Sequence, residues 1–209
     1  MPVVFLFIAF LSLYLLYSGT GRDLKVLTIY GVWGALVAVL SYAGFFRHFP
    51  FGMLMIIVSV TLLTVYFYRI KTLNTKYLLA IHILRIPVEI ILFQLYLQKQ
   101  VPIQMTFKGW NFDIVIGITA VLLIFSKNIP PLLFKIWNVA GLCFLATIVS
   151  IAILAGPTPI QQIGFEQPNV AILTFPYTLL PAVIVPAVLL SHLLCLKGPG
   201  LRSKSVEQK

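Results

Sequence analysis

Charge is scarce in this chain, and negative charge scarcest of all. Charged residues make up 10% of the sequence, and only five of its 209 residues are Asp or Glu. A soluble domain carries about 25% charged residues, because its surface has to be clothed in polar groups. With 60% of its residues hydrophobic, this chain cannot provide such a surface, and lipid has to solvate most of it. Cysteine is equally sparse. Cys143 and Cys195 stand inside apolar runs and outside any CxxC pattern, which excludes a disulfide framework or a thiolate zinc site. The three histidines are too few for a di-iron histidine cluster. HExxH, GxSxG, Walker A and paired acidic motifs are missing, which disfavours a hydrolase or a metalloenzyme. The seventh apolar segment has no mid-span Lys to carry a retinal Schiff base. No Asn-x-Ser/Thr sequon occurs, which fits a prokaryotic source.

What the sequence does have is seven apolar stretches separated by short polar breaks: Val3 to Tyr17, Val26 to Phe46, Phe51 to Tyr68, Tyr77 to Leu97, Phe112 to Phe125, Leu132 to Leu154 and Val170 to Leu196. About 20 helical residues cross a hydrocarbon core of ~30 Å. All but the first and fifth meet that length comfortably. The fold class expected is an all-α integral membrane protein, a bundle of seven transmembrane helices with short loops. It forms a single domain over residues 1–197, followed by a disordered basic tail at 198–209. The first stretch lacks a basic leader region and reads as a span rather than a cleaved signal.

The net charge of +10 follows from this layout without invoking nucleic acid, since no basic patch interleaves with exposed aromatic residues. With seven spans, eleven of the Lys and Arg residues fall at one membrane face, Arg22, Arg69, Lys127, Lys135 and Lys197 among them. The other face keeps Arg47, Lys99 and Lys108. The positive-inside bias then predicts an outward N-terminus and an inward C-terminus, in a bacterial cytoplasmic membrane. The two longer loops, 98–111 and 156–169, both fall outside. Their Gln, Pro, Gly and aromatic content suits either a cap over the bundle or plain connectors with Trp110 and Phe165 as interfacial anchors.

Ionisable residues within spans are the strongest functional pointers in such a protein, because each costs ~2.5–3.5 kcal/mol at a helix centre. The fourth segment concentrates them. His82, Arg85 and Glu89 recur at spacings of three and four, which sets them on one helical face. From Tyr77, Arg85 stands about 12 Å and Glu89 about 18 Å along the axis, near mid-bilayer. Arg85 and Glu89 are suited to an i,i+4 ion pair, and Pro87 between them removes one backbone donor and leaves the Ile83 carbonyl in need of a partner. One reading is a self-neutralising pair that locks the bundle. The other is a polar pocket where Arg85 holds an anionic group or Glu89 carries a proton.

The seventh segment is the second unusual stretch, with Pro176, Pro181 and Pro186 recurring every five residues. Each removes a backbone hydrogen bond, so a kinked or partly unwound helix is expected, as in transporters that build sites from broken helices. Tyr177 stands within this stretch. His192 lies at a depth matching His82, which makes bis-histidine haem ligation a second reading. Gln94 and Asn138 are able to bond between helices or line a pocket. Asp113 and Glu166 are the acids an enzyme acting on lipid would use. The three-one-three order of spans, with Trp33 and Trp137 in corresponding segments, invites comparison with transporters built from repeats.

The leading expectation is a small-molecule transporter or ligand-binding membrane protein. Its site is expected among Arg85, Glu89, His82, Gln94, Asn138, Tyr177 and His192, with a small anionic or polar ligand and no assigned cofactor or metal. The bundle is small enough to suggest a homodimer. The alternatives are a haem-binding redox protein and an accessory subunit of a membrane complex.

Overall fold

A computed structural model describes residues 1–126 and 128–198. Lys127 and the expected disordered tail beyond Gly198 lie outside the described residues. Among these, all regular structure is helical. Five helices are long and apolar enough to cross a membrane: α1 (Pro2–Gly19), α2 (Leu24–Tyr42), α4 (Thr75–Leu97), α6 (Pro131–Leu154) and α7 (Leu180–Lys197). Two shorter apolar helices, α3 (Gly52–Phe67) and α5 (Asp113–Phe125), complete the set. The first segment is therefore longer than its composition suggested, while the third, expected to be long enough, is short. A separate turn of helix at Phe45–His48 follows α2, so the second segment does not run unbroken to Phe46. Gly44, at φ 80°, supplies the left-handed residue that ends it.

Local chemistry sets most of these boundaries. Pro2 and Pro131 occupy the first turns of α1 and α6, where a missing N–H leaves nothing unsatisfied. The Asp23 carboxylate caps α2 by accepting the Lys25 N–H at 2.9 Å. α4 is interrupted at Leu84, three residues ahead of Pro87, whose missing N–H cannot bond the Ile83 carbonyl.

The seventh segment departs from expectation. Residues 170–179 are not helical beyond one turn at Ala171–Leu173, and α7 begins only at Leu180. Pro176 therefore lies ahead of the helix rather than inside it. Pro181 falls in the first turn, and a wide turn spans Leu180–Ile184 before regular helix resumes at Val185. Pro186 withholds the N–H that the Ala182 carbonyl would otherwise receive. The indole of Trp33, on α2, donates to that carbonyl at 3.2 Å. A partner helix thus satisfies the backbone that proline frees.

α7 and α4 form the centre, each against the other and both against α1. α3 and α6 also rest on α7, and α5 packs along α4. At one end of the bundle the α1–α2 turn, the α3–α4 connection and the end of α7 meet. There the Asn74 N–H donates to the Gly19 carbonyl at 2.8 Å, and Lys197 Nζ donates to the Tyr68 carbonyl at 3.0 Å.

The opposite end is closed by the two long connections, which are bonded together. Gln167 Nε2 donates to the carbonyls of Tyr96 and Val101 at 2.8 and 2.6 Å. The Val170 and Ala171 N–H groups both donate to the Gln100 carbonyl. These loops are an ordered cap rather than plain connectors.

Candidate functional site

The polar face of α4 points into the centre of the bundle, and four other elements contribute to it. His82, Arg85, Glu89, Asn111, Asp113, Asn138, Ser191 and His192 are all buried. The expected Arg85–Glu89 ion pair does not form. Arg85 Nη1 instead donates to Asp113 Oδ1 at 2.9 Å, while Glu89 Oε1 accepts a short hydrogen bond from Asn111 Nδ2. The path of the chain between Leu97 and Asp113 explains the difference. Glu89 lies eight residues, about 12 Å, before the end of α4. Asn111 reaches it there, so residues 98–112 fold back down beside α4 instead of running across the surface.

Non-helical backbone at such depth needs protein cover, and Val101, Met105 and Thr106 are buried accordingly. Asn111 Nδ2 also donates to the Met105 carbonyl at 3.0 Å, and its Oδ1 accepts the Asp113 N–H at 3.1 Å. One asparagine thereby fixes the loop, the start of α5 and Glu89. Thirteen residues make α5 about 20 Å long, well short of a bilayer. Its N-terminus opens at mid-depth, where the helix dipole favours the negative charge of Asp113. Gly117 lets α5 approach α4 closely, since a Cβ there would stand 2.8 Å from Ile86 Cγ1.

The other side of Arg85 meets α6 and α7. Its Nη2 donates to the Gly141 carbonyl at 3.4 Å and to His192 Nε2 at 3.2 Å. A guanidinium has only donors, so His192 Nε2 has to accept. His192 Nδ1–H then donates to Asn138 Oδ1 at 2.9 Å, leaving Asn138 Nδ2 to donate to the Phe134 carbonyl at 2.8 Å. Gly141 is required at this contact, because any Cβ would overlap the His192 ring.

His82 lies face to face with His192, ring centroids 3.9 Å apart, and edge-on to Trp137 at 5.3 Å. Ser191 Oγ donates to the Leu78 carbonyl at 2.7 Å and so accepts from His82 Nε2–H at 3.1 Å. Of the six buried side-chain polar atoms without a partner among the described residues, three stand here: His82 Nδ1, Arg85 Nε and Glu89 Oε2. All three belong to the same face of α4.

The structure thus gathers His82, Arg85, Glu89, Asn138 and His192 from among the residues singled out by sequence. It leaves two aside. Gln94 is half-buried further along α4 and takes no part in these bonds. Tyr177 packs edge-on to Phe5, centroids 5.1 Å apart, and lines a separate vestibule at the capped end. Asn111 and Ser191 drew no attention in the sequence, because a lone Asn or Ser beside an apolar run has no periodic signature. Asp113 and Glu166 lie apart, one buried against Arg85 and the other exposed. His82 and His192, the pair considered for haem, come together from α4 and α7 with their rings stacked. Among the described residues, no group of three or more His, Cys, Asp or Glu stands ready to hold a metal ion.

Residues 45–198 match a family described as a domain of unknown function (DUF8737), and the chain belongs to that family. The match begins after α2 and takes in the whole polar cluster. No curated protein and no solved structure matches the chain.

Proposed function

We propose that the protein is a small-molecule transporter or ligand-binding protein spanning the membrane seven times, with a mid-membrane polar site at the α4–α5–α7 junction. The observation that carries this reading is the set of three unpartnered polar atoms on one face of α4. A buried polar atom left without a partner costs about 1–3 kcal/mol, more when charged. A bundle that needed only to hold itself together would not retain three such atoms side by side.

Charge balance narrows the role of each residue. Arg85 and Asp113 neutralise each other, so a bound anion would have to compete with Asp113. Glu89 has an amide partner and no cation of its own, which makes it the group that takes up and releases a proton. The ligand favoured is therefore a small polar solute that accepts from Arg85 Nε and donates to Glu89, with transport coupled to that proton. The mid-depth N-terminus of α5 and the wide turn opening α7 are the broken helices from which such sites are built.

Arg22, Lys25, Arg69, Lys71, Lys76 and Lys197 belong to the end where Asn74 meets Gly19, which supports a cytoplasmic assignment for that end. The bonded loops then cap the outer side. A bacterial cytoplasmic membrane suits this orientation.

The test is a thermal-shift screen of the detergent-purified protein against small polar and anionic solutes, followed by uptake of any hit into proteoliposomes under an imposed pH gradient. The expected result is stabilisation of the wild type that is lost in Glu89→Gln, with uptake lost in step. If no solute stabilises the protein and Arg85→Ala instead releases a co-purifying subunit, the accessory-subunit reading replaces this one.

A further inference from the structure

Away from the polar cluster, α3 and α6 rest on α7 without closing on each other, and a cleft of 380 Å³ separates them. Its size falls within the range of about 300–1,000 Å³ usual for ligand pockets. Leu54 and Ile57 of α3, Leu145 and Val149 of α6, and Val185 and Leu189 of α7 form its walls and floor. At the capped end it meets a vestibule of mixed lining, with Arg47, Gln98 and Gln100 in its wall, through three shared residues, Pro50, Pro157 and Leu173.

An apolar cleft facing lipid has no selectivity of its own, since lipid tails are as apolar as leucine. Selectivity would come from the polar groups at its mouth, of which Thr158 and Arg47 are the two of interest. Thr158 lines the cleft, and its buried Oγ1 lacks a partner. Arg47 lines the vestibule and is exposed, and its guanidinium makes no ion pair among the described residues. No Asp or Glu lines either space. A hydroxyl donor near the apolar slot, followed by a free cation in an acid-free vestibule, matches the order of groups along one kind of molecule. An acidic phospholipid presents an acyl chain, then an ester carbonyl, then a phosphate.

We infer that this cleft and vestibule bind one acidic phospholipid, with an acyl chain between α3 and α6, an ester carbonyl at Thr158 and the phosphate at Arg47. The site is separate from the polar cluster and independent of what that cluster carries.

Native mass spectrometry tests this on protein released from nanodiscs of equimolar phosphatidylglycerol and phosphatidylcholine with identical chains. The wild type is expected to retain one phosphatidylglycerol per chain, in preference to phosphatidylcholine by about fivefold, as one basic side chain at a headgroup provides. Arg47→Ala, at an exposed position, should bring the two lipids to parity without changing the melting temperature. Ala146→Trp, which fills the cleft from an exposed position on α6, should remove both lipids. Equal retention by the wild type overturns the proposal, as does a preference that survives Arg47→Ala. Undiminished retention in Ala146→Trp overturns it as well, by showing that the chain does not enter the cleft.

Discussion

The central helices α4 and α7 and the peripheral helices α2 and α6 are hardly distinguishable by hydropathy, at 1.9 and 1.9 against 1.8 and 2.1. Their surroundings differ twofold. Over an apolar 18-residue stretch of each span, 61% of the residues are buried within the protein in both central helices, against 28% in both peripheral ones. Hydropathy therefore sorts residues into or out of the membrane but does not say which helix other helices surround. In lipid the apolar side chains gain nothing by choosing protein over acyl chains. The polar ones do gain, because only protein can satisfy them at that depth. α4 carries His82, Arg85 and Glu89, and α7 carries Ser191, His192 and a proline-freed carbonyl. α2 turns Val32, Leu36 and Val39 outward, and α6 turns Leu132, Leu133, Ile136 and Val139 outward.

The sharpest way to break this comparison is to remove a charge from the centre. Arg85→Met strands Asp113 without a counterion and should cost about 3–5 kcal/mol in reversible unfolding from detergent micelles. Adding Asp113→Leu should return most of that loss, since a buried pair is often replaceable by apolar groups. Val39→Ala on α2, a position 66% exposed, should stay within about 0.5 kcal/mol. Equal losses at the two positions would erase the distinction.

A smaller contrast comes from two glycines. Gly141→Ala pushes a methyl group into the His192 ring and should cost about 1–3 kcal/mol. At Gly31 on α2 a new Cβ would come no nearer than 4.0 Å to its neighbour. Gly31→Ala should be neutral or stabilise by up to about 1 kcal/mol, and the difference in melting temperature reads the contrast directly.

The smallest effect is expected at the seam between centre and periphery. Trp33→Phe leaves the Ala182 carbonyl without its donor, at a cost of about 1–2 kcal/mol. Amide exchange should speed up around Val185–Leu189 and remain unchanged in α1. Uniform acceleration throughout the bundle would mean that the indole holds more than that one turn.

Much of the cluster was legible before any fold was known. Spacings of three and four put His82, Arg85 and Glu89 on one face, and matching depth brought His192 to His82. The partners were less legible. Glu89 was nearest to Arg85 in sequence, yet Asp113 takes the guanidinium, because a loop without periodicity turns inward and delivers α5 at that level. Nothing in the composition of residues 98–111 distinguishes a loop that dips from one that lies across a surface. The start of α7 was missed for a related reason. Residues 170–179 are as apolar as a helix, and only the covering loops allow them to remain irregular.

The sequence by itself determined that the chain is helical and suited to lipid, where its helices fall to within a few residues except at the start of α7, and which side chains are too costly to face acyl chains. These properties follow from transfer free energies and helical periodicity, which act residue by residue. Only the tertiary structure decided that Arg85 pairs with Asp113, that Trp33 satisfies Ala182, and that the long connections form a cap. Each of those depends on which of several chemically equivalent donors and acceptors the packing brings within 3 Å or so of one another.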